Sequence, residues 1–231
     1  MDTFEEFDQP LGPEKSASGI IAHAFDIYKG VFLYAIVAVL ISSAVSFLVQ
    51  PISGFNSADL MEEMKDTGDS LPNFWAIPGF AFYSGLSALV SLLATPLYVG
   101  VIYIANKYNL QEPISFSNLF IGYRQNFVNI ILYSLVAGVL ITIAMAMCFL
   151  PVFLVFPLLL LGYPILLFEN ATVSQAFSKS FAIAKDNYGT FLGTSVLGFL
   201  ISIAGVFLCV IGLIFTMLFY LVVMYSAYCA F

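Results

Sequence analysis

Chemistry in a protein needs paired acids, a nucleophile beside a base, or metal ligands at matched spacing, and this sequence offers few of these. The only histidine, His23, stands three residues before Asp26. One imidazole cannot assemble the usual histidine-based zinc sets or a shared proton relay, so it reads as a solvated residue on a polar helix face. No two of the cysteines, Cys148, Cys209 and Cys229, lie within Cys-x-x-Cys spacing. Cys148 and Cys209 can form a disulfide in an oxidising compartment if their Cα atoms come within about 7 Å. Glu112 and Glu169 are lone carboxylates without the second acid that acid–base hydrolysis requires. There is no glycine-rich phosphate loop, nucleophile elbow or His-Glu-x-x-His. The expectation is a protein that is not an enzyme, with no catalytic residue, cofactor or metal.

What the sequence does carry is a pattern suited to lipid. Phe25, Lys29 and Phe32 recur as Phe120, Arg124 and Phe127 at an offset of 95, and as Phe181, Lys185 and Tyr188 a further 61 residues on. In Phe-x-x-x-basic-x-x-aromatic the phenylalanine can enter the acyl boundary and the cation can snorkel to head groups, while the last aromatic marks the turn into the bilayer. The offset of 61 also aligns Pro96 with Pro157, Asn109 with Asn170, Asn126 with Asn187, Ser134 with Ser195 and Cys148 with Cys209. This predicts three units, about 16–108, 109–169 and 170–231, each an interfacial helix followed by two spanning helices. The interfacial lipid contacts expected from it are Lys29, Arg124, Lys185, Phe25, Phe120 and Phe181.

Composition says what must position these residues. Hydrophobic residues make up 61% of the 231 and charged ones 9%. With a mean hydropathy of +0.99, that is too little polar surface for a water-soluble globule. The expected fold is all-α: a polytopic membrane protein with six transmembrane helices and three interfacial amphipathic helices. Residues 1–15 read as a disordered acidic tail and 16–231 as one transmembrane domain. Residues 16–30 read as the first surface helix, with Ile20, Ile21, Ala24, Phe25, Ile27 and Tyr28 on its apolar arc. Spans are expected near 31–50, 78–106, 127–148, 151–168, 189–209 and 212–231. Thr95-Pro96, Pro157 and Pro164 mark kinks or a cavity. Small residues place the first, second, third and fifth spans at the centre, with the large side chains of the fourth and sixth facing lipid.

Lys15, Lys29, Lys107, Arg124, Lys179 and Lys185 fall on one side of a six-span threading and only Lys65 on the other. The positive-inside rule then puts both termini on the cytoplasmic side, with the acidic stretch 51–77 outside. A formal charge of −7 excludes nucleic acid as a partner. No ionisable residue lies inside a hydrophobic block, which disfavours proton-coupled transport.

Phe168-Glu169-Asn170, Ser174-Gln175-Ala176-Phe177, Ser180 and Lys185-Asp186-Asn187-Tyr188 resemble a signature of bacterial six-helix membrane proteins. These are the YciC-like proteins of unknown function and the membrane domain attached to some glycerophosphodiester phosphodiesterases. The resemblance implies six spans and surface helices, and no activity. The expected role is that of a membrane-organising or accessory scaffold whose partners are membrane lipids, anionic ones among them, and another membrane protein. The alternative is a transporter or lipid-handling protein with a cavity between the repeats.

Overall fold

The computed structural model describes residues 12–66, 73–147, 150–204, 216 and 218–231. Among these every regular element is helical. The helices are α1 (Ala17–Phe47), α2 (Val49–Ser53), α3 (Ser57–Asp66), α4 (Phe80–Asn109), α5 (Ile121–Arg124), α6 (Phe127–Ala146), α7 (Leu150–Leu159), α8 (Gly162–Phe168), α9 (Val173–Asp186), α10 (Tyr188–Ala204) and α11 (Phe219–Ala230). Short 3-10 turns occupy Phe74–Ala76 and Phe116–Phe120. Four stretches are long and apolar enough to cross a bilayer: Ala17–Ser53, Phe80–Asn109, Phe127–Ala146 and Pro151–Phe168. The pair α9 and α10, bent by 105°, makes a fifth if taken as one span, and α11 is a shorter apolar helix. Four to five spans therefore stand where six were expected; much of 205–217, which holds the join of the last two expected spans, lies outside the described residues.

The chain forms two compact units, one comprising Met1–Ala38 and Thr95–Phe231, the other Val39–Ala94. The smaller unit holds the acidic α3 and an aromatic cluster in which Phe55 stacks on Tyr83 at 4.7 Å and Phe74 on Phe80 at 5.7 Å.

The surface helix expected over 16–30 does not end at Gly30. Its buried stripe of Ile20, Ala24 and Ile27 continues in helical phase through Val31, Ala35 and Ala38, so one helix keeps the whole stripe covered. The equivalent positions in the other two copies turn, and the local sequence explains the contrast. The residue immediately before the last aromatic is Val31 in the first copy, Asn126 in the second and Asn187 in the third. Asn126 takes a left-handed backbone with φ 54°, a conformation that β-branched valine resists. Asn187 caps α9 where the chain bends into α10.

The expected division between central and lipid-facing helices is also overturned. In α11 Phe219, Val222, Val223, Tyr225 and Ala227 are all buried, as are Ile165, Leu166 and Leu167 of α8. By contrast α6 exposes Val128, Leu132, Leu135, Val139 and Ile143. Small residues allow close approach but do not compel it: a Cβ on Gly138 would meet only open space. Gly100 and Gly122 do sit at close backbone approaches. A Cβ on Gly100 would collide with the Leu119 carbonyl, and one on Gly122 with the Pro96 carbonyl, so the 116–124 segment lies directly against the backbone of α4. Pro96 sits inside α4 without ending it.

This contrast sets opposite signs for one substitution. Gly138→Ala should stabilise by about 0.5–1 kcal/mol through helix propensity. Gly100→Ala should destabilise by about 1–3 kcal/mol, because backbone must move to admit the methyl. Thermal unfolding midpoints in a single detergent check both.

Candidate functional site

The described part of the larger unit concentrates its polar side chains at one end, where α4, α8 and α11 finish and α6, α9 and α10 begin. The pieces are built around a break in the fourth apolar block. Pro157 removes one backbone donor near the end of α7, Pro164 another in the first turn of α8, and the helix is interrupted at Leu160 and Leu161. An interruption among apolar side chains leaves carbonyls that need donors. Ser180 Oγ donates to the Leu158 carbonyl at 2.6 Å and accepts from the Leu161 N–H at 3.3 Å. The Tyr133 hydroxyl donates to the Leu159 carbonyl at 3.1 Å. Gly162 makes room for that ring, since a Cβ there would collide with the Tyr133 hydroxyl.

Helix α9 can deliver Ser180 to this depth because Ala176, Ser180 and Ala184, spaced four apart, form a stripe of small residues with no exposure. Thr172 starts the helix with a capping box: its Oγ1 accepts from the Gln175 N–H at 3.4 Å and the Thr172 N–H donates to Gln175 Oε1 at 2.9 Å. Asn126 closes the loop from the other side. Its Nδ2 donates to the Leu166 and Ala171 carbonyls, each at 2.8 Å, and Gln125 Nε2 donates to the Leu167 carbonyl at 3.1 Å. The turn between α8 and α9 is thus fixed by side chains from the start of α6.

Two ionisable clusters sit on this frame. In the first, Lys179 Nζ donates to both oxygens of Glu169, at 2.7 and 2.6 Å, and the Tyr228 hydroxyl adds a third bond at 3.1 Å. The pair is partly exposed and borders a cavity of about 430 Å³ lined by Ile165, Glu169, Ala171, Gln175, Ser178 and Lys179. In the second, the Tyr225 hydroxyl donates to Asn106 Oδ1 at 3.0 Å and accepts from Asn109 Nδ2 at 3.1 Å, while His23 Nδ1 lies 3.1 Å from Ser226 Oγ. Phe168 joins the two clusters, its ring 5.4 Å from Tyr228 and 6.1 Å from Tyr225.

His23 is therefore not the solvated residue that the sequence led us to expect. It faces the last helix, and polar residues near the ends of two apolar blocks, Asn106 with Asn109 and Tyr225 with Ser226, were the signal for such a partner. Among the described residues no group of three or more His, Cys, Asp or Glu side chains is placed to hold a metal ion.

The residues expected to meet lipid are placed as follows. Phe25, Phe120 and Phe181 are 43%, 40% and 50% exposed, high for large apolar side chains. Lys29 is paired with Asp26 at 2.8 Å, both side chains standing in solvent, whereas Arg124 and Lys185 are exposed and make no ion pair among the described residues. Thr95 and Pro96 lie within α4, Pro157 near the end of α7 and Pro164 in the first turn of α8. Pro96 packs beside Gly122, and Pro157 and Pro164 flank the break. A second cavity, lined by Val152, Phe153, Phe156, Ser195, Val196 and Phe199, exposes only apolar atoms. Cys148 and Cys209 lie outside the described residues, and Cys229 is a free thiol.

Set against known proteins, the chain matches no family model, no curated protein and no solved structure.

Ser180→Ala should cost about 1–3 kcal/mol, because it strips a buried carbonyl and a buried N–H of their partner. Ser178→Ala, two residues away and exposed, should stay within about 0.5 kcal/mol of the parent. Denaturation midpoints in mild detergent measure both; equal midpoints for the two variants would remove Ser180 from the role assigned to it.

Proposed function

We propose that this chain is a non-enzymatic, multi-span protein of a bacterial inner membrane. Its role is to organise or assist other membrane components through lipid contact at its basic end, in keeping with the YciC-like resemblance of the Glu169–Tyr188 stretch. The observation that carries the reading is the shared placement of Phe25, Phe120 and Phe181. Each keeps a large apolar ring exposed four residues before a cation. Apolar rings beside cations match the acyl boundary and the phosphate layer of a bilayer in that order. The 105° bend between α9 and α10 supports it as well, because with α10 spanning, α9 runs close to the membrane plane.

The transport alternative has weaker support. Broken helices at transport sites leave backbone groups for the cargo. Here the carbonyls of Leu158 and Leu159 are already taken by Ser180 and Tyr133. Thr142 of α6 donates to the Gly138 carbonyl one turn back at 2.8 Å and is exposed.

The three cations of the repeat should not contribute equally. Arg124→Gln and Lys185→Gln should each lower enrichment of an anionic phospholipid around the purified protein roughly fivefold, about 1 kcal/mol per cation near the surface. Lys29→Gln should do much less, its charge being already balanced by Asp26. Quantifying co-purified phosphatidylglycerol against phosphatidylcholine at low salt tests this, and enrichment unchanged by the Arg124→Gln, Lys185→Gln double variant would overturn the lipid-contact reading.

A further inference from the structure

The cavity beside Glu169 and Lys179 has a charge pattern different from that of the repeat cations, and we propose that it is a head-group site for a zwitterionic phospholipid bearing a primary amine, of the phosphatidylethanolamine class. Its lining sorts into three chemistries. Glu169 presents a carboxylate and Lys179 an ammonium, in contact at 2.6 Å. Gln175 has its oxygen engaged by the Thr172 N–H and hydroxyl, at 2.9 and 3.0 Å, so what it has left to offer is its Nε2 hydrogens, alongside the exposed hydroxyl of Ser178. Ile165 and Ala171 supply an apolar wall. A phosphate has acceptors for Lys179, Gln175 and Ser178, and an ammonium two carbons away has donors for Glu169, whose three bonds from Lys179 and Tyr228 leave acceptor capacity.

The net charge of the site selects among lipids. Glu169 and Lys179 cancel, so a purely anionic head group brings a charge that nothing in the cavity balances. A choline head group carries no N–H for Glu169. The depth fits too: the apolar span Pro151–Phe168 ends one residue before Glu169, which puts the cavity at the level where head groups sit. The ion pair is not a sealed structural bridge, since its side chains are 49% and 30% exposed, and a ligand carrying both charges can exchange with it without leaving either one unpaired.

The proposal rests on the reading of this end as the head-group end, and the test separates the two. The full chain in mild detergent is incubated with an equimolar mixture of phosphatidylethanolamine, phosphatidylcholine and phosphatidylglycerol of identical acyl chains, repurified, and its bound lipid quantified by mass spectrometry. Phosphatidylethanolamine should be retained over phosphatidylcholine by about tenfold, equivalent to about 1.4 kcal/mol. The Glu169→Gln, Lys179→Gln double variant should bring the ratio near one. So should Ser178→Phe, which fills the cavity from an exposed position and leaves the ion pair and the fold in place. The Arg124→Gln, Lys185→Gln variant should lose phosphatidylglycerol and keep phosphatidylethanolamine. Soluble glycerophosphoethanolamine at millimolar concentration should displace the lipid, showing recognition of the head group. Displacement by inorganic phosphate alone at the same concentration would reveal a simple anion site and overturn the proposal, as would a ratio near one in the parent protein or a preference surviving both cavity variants.

Discussion

The hydrogen bonds that Ser180 and Tyr133 make to the interrupted backbone between α7 and α8 are what the polar end of this molecule depends on. A break in an apolar helix is costly because water is not there to serve the freed carbonyls. Once Pro157 and Pro164 have created the break, some other element must bring donors to it. Helix α9 does so with a serine, and must lie close to the break to reach it, which is why small residues alternate with large ones along its length. The position of α9 in turn sets where Glu169, Gln175 and Lys179 stand, and hence the cavity they share.

The same economy appears in the turn that precedes α6. Asn126 adopts a left-handed backbone and spends both hydrogens of its amide on carbonyls at the end of α8 and the start of the loop to α9. Gln125 adds a third contact to the same chain end. A single dipeptide therefore both turns one helix into its span and holds the next broken span in register. Where the first copy of the pattern has Val31, neither job can be done, and the helix runs on.

Much of this was legible in the amino-acid sequence, and the failures have physical reasons. The all-helical character of the described residues followed from long apolar runs. The first surface helix was read as separate because charge alternates up to Lys29. The buried stripe from Ile20 to Ala38 keeps one phase, and continuous burial outweighs a local change in polarity. The central helices were misjudged because small side chains were taken as a measure of burial; in α11 large side chains fill the core instead, packing being a matter of complementary volume. The pairing of His23 with Ser226 joins residues 203 apart, and polar residues near the ends of the apolar blocks signal that a partner exists without saying which one it is.

That pairing also bears on how the molecule is made. A ribosome releases the chain from its amino end, so α1 is available to the membrane long before α11 exists. His23 must wait for Ser226, and Asn106 and Asn109 for Tyr225, until α11 has been added. The seam that fastens α1 to α11 thus closes only after the helices between them have been made.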